Sequence, residues 1–232
     1  MQIPFTVEQF LEVFENYNTA IWPTQVVVYA LAVIVLIAPA TSSRYGSRLA
    51  SAVLGFFWIW MGVAYHLVYF SRINKAAYVF GTLFIVQGVV FLHAGVLRSR
   101  LSFGWQRDIN CPAGALFVLY AMVGYPIIGH LVGHGYPQSP CFGVAPCPTT
   151  IFTFGLLLWT DRRVPKHVLV IPFLWSIVGF TAAIKLGILE DVGLLVAGVG
   201  GSALLIVRDR SLSHGRAEVG DSAVHTDSRA GG

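Results

Sequence analysis

The sequence predicts an all-α integral membrane helical bundle of about seven transmembrane spans, the fifth short and preceded by a re-entrant Pro/Cys-rich loop. Three observations predict it. Of 232 residues, 56% are hydrophobic and only 11% charged, with a mean hydropathy of +0.70; a soluble domain carries about 25% charged residues. Apolar runs of the length that crosses a bilayer, about 20 residues, recur along the chain. Between them, residues 124–152 contain no Asp, Glu, Lys or Arg but hold five prolines, Pro126, Pro137, Pro140, Pro146 and Pro148. Backbone broken by proline survives at membrane depth only where protein buries it or where it lines a wet cavity.

The elements follow in order. Residues 1–20 hold Glu8, Glu12 and Glu15 and no Lys or Arg, unlike a cleavable signal peptide. Val7, Phe10, Leu11, Phe14 and Tyr17 recur at helical spacing, and Thr6-x-x-Gln9 reads as a capping box, so this stretch is an outer-face amphipathic helix packing on the bundle. Residues 21–207 form the transmembrane bundle. Runs 21–40, 49–70, 76–97, 112–131 and 168–186 span comfortably, and 192–207 spans if Glu190 and Asp191 sit at the headgroups. The run 149–160 reaches only about 18 Å against a core of about 30 Å. Pro146 and Pro148 are expected to exclude helix before it, which leaves a half-helix approached by extended chain. Residues 208–232 read as a disordered cytoplasmic tail, rich in Ser, Gly and charge.

Charge sets the orientation. Arg44 and Arg48, then Arg98, Arg100 and Arg107, then Arg162, Arg163 and Lys166, then Arg208, Arg210 and Arg216 follow alternate spans. Only Arg72, Lys75 and Lys185 fall on the other side, so the N-terminus is expected outside and the C-terminus in the cytoplasm. Six spans would put two of the basic groups on the wrong side. The formal net charge of +4 is thus a matter of topology, and no nucleic-acid partner is implied.

That frame gives depth to the polar residues, which are costly in lipid and face the bundle interior or water. His66, His130, His134 and Cys147 gather toward the outer side as candidate metal ligands, with Gln25, Gln87, Glu190 and Asp191 as accessory polar groups. His130 and His134 are four apart, a spacing that puts two imidazoles on one helix face, as in helical zinc sites. Cys147 precedes Pro148 and so reads as the N-cap of the half-helix, whose positive end favours a thiolate. Imidazole with thiolate suits zinc or copper(I). Each residue also has a plain structural role: the histidines satisfying backbone freed by the break, Cys147 a small residue in a tight turn, Glu190 and Asp191 capping the last span. Tyr65, Tyr69, Trp22 and Trp159 suit interfacial belts, and the Phe56–Trp60 cluster suits packing. Cys141 and Cys147 could face each other on an oxidising side, and Cys111 reads as a free thiol.

Residues 4–19 (PFTVEQFLEVFENYNT), together with IWMGVAYHLVYFSRIN, GHGYP and CPTTIFTFGLLL, resemble an uncharacterised bacterial family of multi-span membrane proteins, domain of unknown function 6064. The resemblance covers residues 3 to about 207 and implies an integral protein of the bacterial inner membrane with no established activity, its members being loosely labelled permeases. It implies that His66, His134 and Cys147 belong to the family pattern and that Cys141 does not, which counts against a disulfide. Three function classes stand open: a small permease or binder for a soft metal ion or small solute, an intramembrane enzyme with Cys147 as nucleophile and His134 as base, and a scaffold with no small-molecule site. The cofactor is unknown. Retinal is excluded because no lysine lies within the last span.

Overall fold

The structure, a computed structural model, describes residues 4–211. It is an all-α helical bundle. Helix α1 (Val7–Ala20) opens with the expected capping box, the Thr6 side chain accepting from the Gln9 N–H and the Gln9 side chain from the Thr6 N–H. Six helices are long and apolar enough to cross a membrane: α2 (Thr24–Thr41), α3 (Arg44–Arg72), α4 (Ala77–Leu97), α5 (Asn110–Leu131), α7 (Lys166–Leu186) and α8 (Leu189–Ser211). Between α5 and α7 lies the shorter α6 (Pro146–Leu158). The last helix runs through Arg208 to Ser211, four residues past the expected end of the span, while the expected tail from 212 onward lies outside the described residues.

Helix α6 is the axis of the bundle. It packs against α3, α5, α7 and α8, and every one of its residues except Cys147 is buried. Its three threonines return their hydroxyls to carbonyls one turn back, Thr149 to Ala145, Thr150 to Pro146 and Thr153 to Thr149, at 2.7–2.8 Å. That self-satisfaction lets a threonine-bearing helix sit in an apolar core.

Two expectations about α6 need correction. Its N-cap is Ala145 rather than Cys147, and the helix includes both Pro146 and Pro148. Prolines at the first and third helical positions remove N–H groups that have no intrahelical acceptor anyway, so they start a helix without breaking it. The approach from Cys141 to Ala145 is irregular and buried in protein, as required: Phe142, Val144 and Ala145 are almost wholly enclosed. Helix α1 satisfies much of this loop's backbone. The Tyr17 hydroxyl donates to the Val144 carbonyl at 3.0 Å, and the Asn18 amide donates to the Pro137 and Ser139 carbonyls at 2.7 and 2.8 Å.

Glycines hold α3 and α4 close. A Cβ on Gly62 would lie 2.7 Å from the Gly81 carbonyl oxygen, and one on Gly88 would lie 2.7 Å from that of Gly55. Contact of this kind between backbones stabilises helix pairs in lipid, where burial of apolar area supplies no drive. Wider π turns interrupt α3 over Met61–Tyr69, and the residues they carry, Tyr65 and His66, face the interior.

Candidate functional site

Beneath α1 is a cavity of about 530 Å³. Helix α1 contributes Phe10 and Phe14 to its wall, α3 contributes Tyr65, α4 contributes Phe80, and α7 contributes Trp175 and Ala182. At the other side stand Cys147 from the first turn of α6 and Asp191 from the first turn of α8. Cys147 is therefore the one α6 side chain with exposed surface, and the cavity is what it borders.

Asp191 is the chemical centre. It is 4% exposed, although an uncompensated carboxylate at such burial is costly. The Tyr125 hydroxyl of α5 donates to its Oδ1 at 2.6 Å, a length typical of a charge-assisted bond. Cys147 and Trp175 line the same cavity beside it, the Trp175 indole nitrogen without a hydrogen-bond partner. The neighbouring Tyr120 hydroxyl fixes the chain there by donating to the Glu190 carbonyl at 2.6 Å. Asp191 thus spends its side chain on Tyr125, not on capping α8, which has no side-chain cap. The arrangement is a fixed acceptor at the edge of an aromatic chamber, and such a chamber holds a cation or hydrogen-bond donor well.

Glu190 points elsewhere. It is fully buried, neither carboxyl oxygen has a hydrogen-bond partner, and its Oε1 lies 3.8 Å from His134 Nδ1. The expected pairing of His130 and His134 on one helix face does not form. Helix α5 ends at Leu131, Gly133 turns the chain at φ 94°, and His134 follows the turn with its N–H on the Gly129 carbonyl, while His130 stays exposed. His66 is enclosed by the rings of Tyr65, Phe70, Phe80, Phe84 and Trp175, and both of its nitrogens are without partners. Among the described residues no group of three or more His, Cys, Asp or Glu is placed to hold a metal ion, so the four candidate ligands are not gathered into one set.

The two glutamines are tethers. Gln25 donates to the Asn18 carbonyl at 2.8 Å, tying α2 to α1, and Gln87 donates to the Val168 carbonyl at 2.9 Å, tying α4 to α7. All three cysteines are free. Cys141 donates weakly to the Ser139 carbonyl, and burial pushes its thiol up to about 11. Trp22 is exposed as a belt residue should be, but Tyr65 and Trp159 are buried, Trp159 donating to the Cys111 carbonyl at 2.9 Å.

Sequence reasoning missed Tyr125 and Trp175 altogether and took Tyr65 for a belt residue. A signal existed for Tyr125. A hydroxyl six residues before the end of a span must find an acceptor inside the protein, and the only acidic residues available at that end of a neighbouring span are Glu190 and Asp191.

No curated protein and no solved structure matches the chain. A family model does, over residues 7–216, from α1 through the whole bundle. The family is one of unknown function, so the match carries the fold's boundaries and no activity with it. The chain belongs to the family of unknown function DUF6064.

Proposed function

We propose that this is an integral membrane protein that binds a small, mostly apolar solute through the cavity beneath α1, the solute's amine or other hydrogen-bond donor meeting Asp191 beside Cys147. The observation that carries this reading is the buried Asp191 carboxyl, held by Tyr125 at the edge of an aromatic chamber of about 530 Å³ that Cys147 also lines. That volume suits a small ligand, and ligand sites combine mostly apolar walls with a few fixed polar groups. Charge at the helix ends supports an outer-facing site in the bacterial inner membrane. The arginine-rich loops flank the end opposite α1, which by the positive-inside rule is the cytoplasmic one. A permease for such a solute would open this chamber alternately to the two sides.

Two histidines bear on the other classes. A nucleophilic thiol needs a base, and His134, the base expected for Cys147, turns to Glu190 at 3.8 Å. A soft-metal site needs converging ligands, and His66 sits among rings.

The test uses a matched pair of probes with one body and opposite heads, phenylbutylamine and phenylbutyrate. Calorimetric titration of the purified protein is expected to show binding of the amine and none of the acid, with the amine weakened at least about tenfold by Asp191→Asn. Equal binding of the two, or amine binding indifferent to Asp191→Asn, overturns the proposal.

A further inference from the structure

A second cavity, of about 850 Å³, opens at the far end of the bundle between α7 and α8. Its mouth carries three cations, Arg163, Lys166 and Arg210, and its wall is apolar, with Leu169, Phe173 and Ile206. The one acid in the lining, Asp209, is occupied within the protein. Arg208 donates to its Oδ1 at 2.8 Å, and the Val164 N–H donates to its Oδ2 at 3.0 Å. Among the described residues the lining therefore holds three cations to one acid. Deeper in the cavity is Ser202, 8% exposed, whose hydroxyl has no hydrogen-bond partner. It lies eight residues before Arg210 on the same helix, about 12 Å further along the axis.

We infer that this cavity is a binding site for an anionic phospholipid, the headgroup phosphate held by Lys166 and Arg210 and one acyl chain lying along Leu169, Phe173 and Ile206. The order of chemistry along the cavity follows the lipid: cations at the level of the headgroup, then the apolar wall of Leu169, Ile206 and Phe173 for an acyl chain, with Ser202 at its deep end. Ile206 is about half exposed on the bundle surface, so the groove is continuous with the surface that faces acyl chains. Basic pockets between transmembrane helices hold anionic headgroups in this way, each cation strengthening attachment. The charge selects the lipid class, because a zwitterionic headgroup brings its own cation to a mouth that already has three.

The experiment is native mass spectrometry of the full chain, released from detergent after incubation with phosphatidylglycerol, phosphatidylcholine or inorganic phosphate. Phosphatidylglycerol is expected to stay bound and phosphatidylcholine to leave. The double variant K166Q/R210Q should lower phosphatidylglycerol retention about tenfold, as fits removal of two cations beside an anionic headgroup. Ile206→Trp, which fills the apolar wall and leaves the cations in place, should lower it as well. Arg44→Gln, on another basic loop, should leave it unchanged. Both exchanged cations are exposed, and unchanged thermal unfolding of K166Q/R210Q without lipid shows that the fold is intact. Equal retention of the two lipids overturns the inference. So does the same loss from Arg44→Gln as from K166Q/R210Q, or retention of inorganic phosphate equal to that of phosphatidylglycerol.

Discussion

The two ends of α6 are built in opposite ways. At its C-terminal end, where the carbonyls lack intrahelical donors, Arg208 reaches across from α8 and donates to the Thr160 carbonyl at 2.8 Å and, at 3.5 Å, to that of Leu158. A cation at a helix C-terminus also suits the helix dipole. Asp209 pairs with the same guanidinium, and the Thr160 hydroxyl closes back on the Leu157 carbonyl. These groups have partners inside the protein, while the nearby Asp161 Oδ1 has none. At the N-terminal end, the thiol of Cys147 borders a cavity, Asp191 is buried beside it, and the Trp175 indole nitrogen, both His66 nitrogens and both Glu190 oxygens lack hydrogen-bond partners. Burial without partners costs free energy, so an end that tolerates it is kept for something other than holding the fold together. The C-terminal end of α6 is closed by bonds that hold the fold, and the N-terminal end is the one we propose for the amine-binding site.

Substitutions at the two ends should therefore separate stability from binding. The largest effect belongs to Arg208→Ala, which strands the carbonyls of Leu158 and Thr160 and removes the guanidinium paired with Asp209. We expect a loss of about 3 kcal/mol in unfolding free energy, read as an earlier transition in thermal or denaturant unfolding in detergent. A change below about 0.5 kcal/mol would erase the contrast between the ends. Asp191→Asn keeps an acceptor for the Tyr125 hydroxyl and removes the charge. It should cost less than about 1 kcal/mol of stability while weakening phenylbutylamine at least about tenfold. Ala182→Phe sharpens the same distinction from the apolar side: the added ring fills the cavity, binding falls, and the unfolding midpoint stays put or rises. The smallest effect is at Cys141. Its thiol is raised by burial, so it is protonated through neutral pH, and its thiolate fraction grows as pH climbs toward about 11. Alkylation of Cys141 in a Cys111→Ser/Cys147→Ser protein should be slow at pH 7 and still rising at pH 10, whereas a plateau near pH 8 would mean the loop is open to water.

The spans were legible because hydropathy and length are properties of single segments. All six long helices lie where apolar runs of about 20 residues put them, and the short one lies where 149–160 falls below that length. Proline was read too strictly. Pro146 and Pro148 were expected to exclude helix, yet they occupy its first turn, where a missing N–H costs nothing. The candidate site was legible only in part, because it is assembled from seven helices. Cys147 and Asp191 stood out as polar residues at span ends, but nothing in their spacing says that Asp191 meets Tyr125 rather than capping its own helix. The His130–His134 pair misled for the same reason: spacing is informative only while the helix continues, and Gly133 ends it. Gln25 and Gln87 looked like site residues and are interhelical ties, a distinction that depends on which carbonyl lies opposite.

The central claim is that the chamber beside Cys147 and Asp191 takes an apolar solute with a donor head, and the thiol itself reports on it. In a Cys111→Ser/Cys141→Ser protein Cys147 is the sole cysteine, and its alkylation by N-ethylmaleimide can be timed with and without the two probes. The account predicts that phenylbutylamine slows labelling in proportion to its occupancy and that phenylbutyrate does not, with the protection gone in the Ala182→Phe variant. A labelling rate that neither probe changes would contradict it.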